Sequence, residues 1–347
     1  MKTDSSRREF LETLVRGAAG AAVGLPLIEP ARALSAAGEM PYRTLGSTGE
    51  KVSLLGLGGF HLGIKTKSTV EESTRIIRTA IDNGINFMDN SWDYHGGESE
   101  VRMGQALRDG YRKKVFLMTK TDGLVKDVWN KQLEDCLRRL QTDVIDLVQF
   151  HEVNIPTDPD VIFGPGGALE AALAARKAGK IRYIGFTGHR EPDILLRMLE
   201  AAAAHQFTFD SVQMPLNVMD VHYRSFAKKV VPVLVERGIA VLGMKSLGGG
   251  RIPKTNTVTP TECLQYTMNL KTSVVINGCE SLKDLDQGLE AARSFKPMNE
   301  AEVAALLAKT APVATAGQFE YYKTADYEKY RQFRSEWFMG SPPPKPG

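Results

Sequence analysis

The chain has 347 residues, of which 42% are hydrophobic and 24% charged, with a net charge of +3. That mixture excludes a collagen-like or disordered chain, and the interspersed charges, with no basic tract, exclude nucleic acid as an expected partner. The three cysteines, Cys136, Cys263 and Cys279, stand far apart in no CxxC or Cys/His spacing, so no disulfide framework, metal site or iron–sulfur cluster is expected.

The first 36 residues read as a signal-type segment rather than as part of the fold. A basic start is followed by a mildly apolar stretch over 17–28 and then by small residues, with cleavage expected after Ala33 or Ala36. "SRREFL" (6–11), with Arg7 and Arg8 as its pair, resembles the twin-arginine translocation motif. It implies export, with the twin-arginine machinery as a partner and a periplasmic or exported location; a cytoplasmic protein is expected if that reading fails. The apolar stretch is too short and too rich in Ala and Gly for a stable membrane span.

After residue 40, strand-like and helix-like segments alternate. "YRTLGSTGEKVSLL" (42–55) reads as a hairpin, and "LLGLGG" (54–59) as an apolar strand closed by glycines. "VEESTRIIRTAIDNG" (70–84) carries Ile76, Ile77, Ala80 and Ile81 on one helical face. The pairs that follow are 85–89 with 98–110, 114–120 with 126–141, 144–151 with 168–180 and 181–188 with 192–205. Then come 211–217 with 226–238, 239–246 with 259–270, and 273–279 with 282–295. The strands are continuous apolar runs, as a parallel sheet buried on both faces requires. Eight strand–helix units predict an α/β fold, a (β/α)8 TIM barrel over residues 41–315 with an N-terminal β-hairpin. A doubly wound sheet would want a GxGxxG turn, which "GLGGFHLG" (56–63) lacks. Extra C-terminal helices follow, one over 299–311 and one over 324–338. In the segment 316–347, Tyr327, Tyr330 and Trp337 fall at helical spacing, so that face is expected to pack on the barrel, ahead of a disordered "SPPPKPG" tail.

Function in such a barrel collects where strands end. Asp89, Tyr94, Lys120 and His151 stand there, after the second, second, third and fourth strands. A phenol with a pKa near 10 is a feeble acid at neutral pH. A buried Lys beside it is expected to pull that value down, and a carboxylate is needed to keep the Lys charged. A His alongside can orient a carbonyl oxygen or shuttle its proton.

These four residues, in the frames "GINFMDNSWDYHGGESE", "LMTK" and "LVQFH", resemble the catalytic tetrad of the aldo-keto reductase family, and the similarity spans roughly residues 41–297. The resemblance implies a metal-free oxidoreductase that moves a hydride between NADP or NAD and a small carbonyl or polyol. Tyr94 would be the general acid and base, Lys120 would tune it, Asp89 would hold Lys120, and His151 would orient the substrate. A nucleotide-binding sensor or interaction subunit with incidental turnover is the alternative.

The cofactor side departs from the family pattern. Where a Ser-Asn pair often grips the nicotinamide amide, the chain has Thr187 and Gly188. Gln213 matches the family's amide-binding Gln, and Met244 stands where a Tyr commonly stacks. Leu247 and Gly248, in "SLGGG", resemble the loop over the pyrophosphate. Gly278 and the following helix resemble the adenosine-phosphate segment, where Asp284 favours NAD, Lys283 favours NADP, and Gln287 stands where many members have Glu. Phe60, His61 and Trp92 are expected to wall the substrate pocket.

Overall fold

The computed structural model describes residues 38–340; the signal-type segment and the proline-rich end lie outside the described residues. An antiparallel hairpin comes first, β1 (Tyr42–Thr44) with β2 (Lys51–Ser53). Its Leu45 and Val52 are fully buried among the inward side chains of the barrel floor. The Arg43 guanidinium fastens it by donating to the carbonyls of Met268 at 2.8 Å and Thr272 at 2.6 Å.

Eight parallel strands then close a barrel, β3 (Leu55–Gly58), β4 (Phe87–Asp89), β5 (Phe116–Thr121), β6 (Ile145–Phe150), β7 (Ile181–Thr187), β8 (Ser211–Pro215), β9 (Ala240–Met244) and β10 (Val274–Gly278). β10 pairs with β3, so the ring has no free edge. This is the (β/α)8 TIM barrel with an N-terminal hairpin that the alternation of segments predicts.

Strand periodicity decides which residues reach the site. Every second side chain of a strand shares a face, and in β5 the inward series is Phe116, Met118, Lys120. The lower members pack as a hydrophobic plug, with Phe87 stacked on Phe116 at 5.4 Å. One layer higher the same series turn polar: Asp89 on β4, Lys120 on β5, Gln149 on β6, Thr187 on β7 and Gln213 on β8, all buried. Gly185 makes room in this layer, because a Cβ there would run into Ser211 and Gln149, which hydrogen bond at 3.1 Å.

The helices start where their caps dictate. Thr69 and Glu72 form a reciprocal capping box at Val70–Asp82, and Thr259 with Glu262 does the same for Pro260–Asn269. The single helix expected over 226–238 is two, Phe226–Lys229 and Val231–Glu236. Pro232 explains the break, since it carries no N–H for the preceding turn. A helix not foreseen, Asp158–Phe163, sits in the loop after β6.

The C-terminal segment runs across the end of the barrel where the strands terminate. Lys323, fully buried, bonds Asp220 at 2.8 Å and the Tyr223 carbonyl at 2.7 Å in the loop after β8. Asn217 donates to the Tyr322 hydroxyl at 2.9 Å. Farther on, Arg331 pairs with Asp158, and the Phe338 carbonyl accepts from Leu124 at 2.8 Å. The tail helix is two short ones, Tyr327–Phe333 and Ser335–Phe338, broken at Arg334. Tyr327, Tyr330 and Trp337 face the barrel, while Phe333 is 70% exposed.

Candidate active site

Lys120 is the centre of the site. An ammonium has three donors, and all three are used: on Asp89, on the Asn90 carbonyl at 2.7 Å and on the Tyr94 hydroxyl at 3.2 Å. Asp89 is held from its other oxygen by Gln213, which donates at 2.7 Å. Tyr94 receives a hydrogen bond from Lys120, so its own proton is free to be offered elsewhere.

The loop that presents Tyr94 answers to backbone geometry. His95, Gly96 and Gly97 adopt left-handed φ values of 55°, 66° and 90°, which turns the chain at once into the helix Glu98–Ala106. A side chain at Gly97 would collide with the Arg139 guanidinium. Arg139 bonds the Trp92 carbonyl at 2.8 Å and buried Glu100 at 3.2 Å, tying the loop to the helix Lys126–Leu140.

The pKa of Tyr94 moves opposite to the expectation drawn from Lys120. Burial holds it well above the ordinary value, and the carboxylates of Asp89, Asp93, Glu152 and Asp122 add to the rise. The reason is that Asp89 cancels the charge of Lys120 while further acids stand close. The phenol is therefore a firmly protonated donor at neutral pH.

His151 brings a second set. Its Nδ1 lies 2.8 Å from Asp122, 3.2 Å from Ser91 and 3.6 Å from Asp93. Burial lowers the pKa of His151 and raises that of Asp122 to about 7. The ligand atoms of Asp93, Asp122 and His151 lie within 4.8 Å of one another, a spacing that suits a metal ion. The charges of Lys120 and Arg331, both felt at Asp122, oppose a cation there.

Two further charged residues face the pocket from left-handed backbone, Glu152 after β6 (φ 54°) and Lys245 after β9 (φ 56°). Such conformations cost a non-glycine residue about 1–3 kcal/mol and cluster at functional sites. Burial raises Glu152 to about 7 and lowers Lys245, and each charge acts on the other. Sequence reading missed Asp122 and Lys245. Each follows a strand-end residue by one or two positions, which was the available signal.

The other expected residues fall in three places. Thr187, Gln213 and Met244 are buried around the strand ends, with Thr187 Oγ1 3.4 Å from His189. Gly248, Gly249 and Gly250 are all left-handed, and Leu247 stands half-buried beside them. At the far end, Ser281 caps the helix Leu282–Arg293, and the Asp284 carboxylate accepts from the Glu280 N–H at 3.0 Å and from Ser281 at 2.9 Å. Lys283 and Gln287 are exposed on that helix. His61 lies against Gly278 and 3.0 Å from Glu280, away from the tetrad. Phe60 packs edge-on to Tyr94 at 5.2 Å, while Trp92 turns to Trp337 at 5.6 Å and to Asp135.

A profile of the aldo/keto reductase family matches residues 54–304. An aldo-keto reductase of Alternaria alternata is 30% identical over 261 residues, covering 63% of this chain and 69% of that one. L-galactose dehydrogenase of Arabidopsis thaliana is 28% identical over 230 residues, 61% of this chain and 67% of its own. The holo form of an aldo-keto reductase from Bacillus halodurans matches with a TM-score of 0.66 at 23% identity, covering 81% of this chain and 100% of that one. The profile alone covers well over half of the sequence, and the chain belongs to the aldo/keto reductase family.

Proposed function

We propose that this chain is an NAD(P)-dependent oxidoreductase that interconverts a carbonyl and an alcohol, with Tyr94 as the acid and base at the substrate oxygen. The observation that carries the reading is Lys120, whose three donors go to Asp89, Asn90 and Tyr94. Lys323 is as fully buried in a structural pair; what sets Lys120 apart is that one of its three donors goes to a phenol hydroxyl at a strand end.

The residues present suit a nicotinamide nucleotide. Gln213 Oε1 and Ser246 Oγ are buried without a protein partner, and polar groups of a nucleotide would satisfy them. Thr187, Gln213 and Met244 would hold its nicotinamide end, Leu247 and Gly248 its pyrophosphate, and Gly278 with the helix after it its adenosine end. When bound, that group would supply or accept the hydride.

The protein's own part is proton placement. Tyr94 offers its O–H to the substrate oxygen and, as negative charge grows there, Lys120 stands behind the phenol to stabilise the loss of its proton. In the reverse direction the phenolate takes the proton from an alcohol. Phe60 flanks the phenol edge-on. The substrate is a small carbonyl or polyol; the relative named L-galactose dehydrogenase supports a sugar-like one.

The test is a screen of small aldehydes, ketones and polyols with NAD and NADP in both directions, following nicotinamide absorbance. Tyr94→Phe serves as the control, and turnover that survives in it refutes the assignment. The twin-arginine-like "SRREFL" supports export of a folded protein with nucleotide already inside. Cell fractionation, followed by identification of nucleotide released on denaturation, tests that part separately.

A further inference from the structure

We propose that Glu152 and Lys245 form a substrate-reading pair. The carboxylate accepts from one hydroxyl of the substrate and the ammonium donates to another oxygen, which selects a neutral polyhydroxylated carbonyl compound over an alkyl one. The proposal rests on the oxidoreductase reading above for the reaction, and adds the two residues that choose its substrate.

The two stand apart in the ring. Glu152 follows β6 and Lys245 follows β9, with β7 and β8 between them. Each has left-handed backbone, and each backbone is pinned. The Glu152 carbonyl accepts from Arg331 at 2.8 Å, and the Lys245 carbonyl accepts from the Gly248 N–H at 2.8 Å. Glycine would take such φ values without strain. The backbone alone therefore gives no reason for a carboxylate and an ammonium at these two points.

The side chains, by contrast, are pinned to nothing. Among the described residues neither tip makes a hydrogen bond. Glu152 Oε1 lies 3.7 Å from His189 Nδ1, and Lys245 Nζ lies 5.3 Å from the centre of the Tyr322 ring. Neither tip is among the sealed polar atoms that lack a partner, so both are reached from the pocket. A chain of rings places Glu152 relative to the acid. Tyr94 and His151 are 6.0 Å apart, His151 and His189 are 6.0 Å apart, and His189 adjoins Glu152. The charge of Glu152 is felt at Tyr94 and that of Asp89 at Lys245, so both groups look into the space the tetrad faces.

Charge decides the substrate class. The three donors of Lys120 are spent, and Arg331 is held by Asp158 and the Glu152 carbonyl. Lys245 keeps its donors for a ligand. A carboxylated substrate would satisfy Lys245 but would meet Glu152, Asp93 and Asp122 with the same sign. An alkyl chain would take water from both tips and return no hydrogen bond. A hydroxyl both donates and accepts, so a polyhydroxylated chain satisfies both tips without added charge. The C-terminal segment backs the pair: Arg331 holds the Glu152 backbone, and the Tyr322 ring, whose hydroxyl accepts from Asn217 at 2.9 Å, stands behind Lys245.

The experiment compares reduction of xylose, pentanal and glucuronate at pH 8 by the parent, Glu152→Gln and Lys245→Met. The parent should prefer xylose to pentanal in kcat/KM. In each variant, kcat/KM for xylose should fall about 10- to 100-fold further than for pentanal, the worth of a hydrogen bond to a charged group. A parent that prefers pentanal overturns the proposal, whatever the variants do. So do equal losses on xylose and pentanal, or a preference for glucuronate that only Lys245→Met removes. Nucleotide affinity, followed by fluorescence titration, falling by the same factor would assign the pair to the nucleotide's own hydroxyls and phosphates, and would also overturn it. Absence of turnover with every aldehyde would sink the functional reading instead. Calorimetry with xylitol would then decide the pair: binding to the parent that both variants lose upholds it, and no binding, or equal binding in all three, refutes it.

Discussion

Removing the Lys120 ammonium should destabilise the fold as well as silence it. The Asp89 side chain is 4% exposed and has two partners, Lys120 and the Gln213 amide. In Lys120→Met only the neutral amide remains. Breaking a buried pair from one side costs about 3–5 kcal/mol, because it leaves an uncompensated charge. Asp89 can escape that cost by taking up a proton, which raises its folded pKa above its unfolded value. The loss should therefore be small near pH 4 and grow as pH rises. Asp89→Asn in the same background removes the stranded charge and should recover most of the loss at pH 8. Domains of 150–250 residues lose about 2–4 °C per kcal/mol, so Lys120→Met should melt roughly 6–20 °C lower at pH 8, with the double variant restored. Calorimetry on the parent, both single variants and the double, at pH 5 and pH 8, gives the full cycle. Effects that add to within about 0.5 kcal/mol would show no coupling between the two residues, and would refute the account of Lys120 as the charge partner of Asp89.

Tyr94→Phe should lower turnover by about 10²–10⁴, the usual contribution of a general acid, and leave nucleotide affinity unchanged by fluorescence titration. Glu152 has a folded pKa near 7, above its unfolded value of about 4.3. The folded state therefore binds more protons between those values, and stability falls as pH rises through that window. Glu152→Gln should accordingly raise Tm at pH 8, by an amount equivalent to about 1–3 kcal/mol, and change it little below pH 4; equal shifts at both pH values would contradict this. Lys323→Met leaves two buried carboxylates, Asp220 and Glu320, without their shared cation and should cost about 3–5 kcal/mol, measured by urea denaturation. Deleting the chain after Gln318 should lower stability and raise substrate KM, since the segment packs over the loops after β5, β6 and β8; unchanged values in both would remove any role for it.

The barrel was legible because its signal repeats. Eight apolar runs, each followed by a helical period, leave few architectures to choose from, and the inward alternation Phe116, Met118, Lys120 puts the Lys at the strand end without further information. The tetrad was legible for the same reason, since each member closes or follows such a run. What the sequence did not disclose is the field the tetrad sits in. Asp93, Asp122 and Glu152 lie in loops whose direction is set by left-handed backbone at His95 and Glu152 and by the C-terminal segment crossing above them. No local pattern in the sequence reports that these loops converge. The break at Arg334 was equally hidden, because Tyr330 and Trp337 keep helical spacing across it while Arg331 and the Phe338 carbonyl are fixed by partners far away in the chain.

The convergence changes what the phenol is for. A Lys beside a Tyr, taken alone, argues for an easily lost proton. Here Lys120 is matched by Asp89, Arg331 by Asp158 and Lys323 by Asp220, so the obvious cations around the pocket are already paired. Asp93 and Asp122 are left with a neutral imidazole between them. Burial first, and then the negative field of these carboxylates, hold the proton on the phenol of Tyr94. Under the proposed function, Lys120 would act less as a group that ionises Tyr94 at rest than as one that stabilises its anion at the moment the proton leaves. A donor that stays protonated until a substrate oxygen gains charge is suited to reduction, because the driving force for transfer is supplied by the reacting oxygen and not by the resting site.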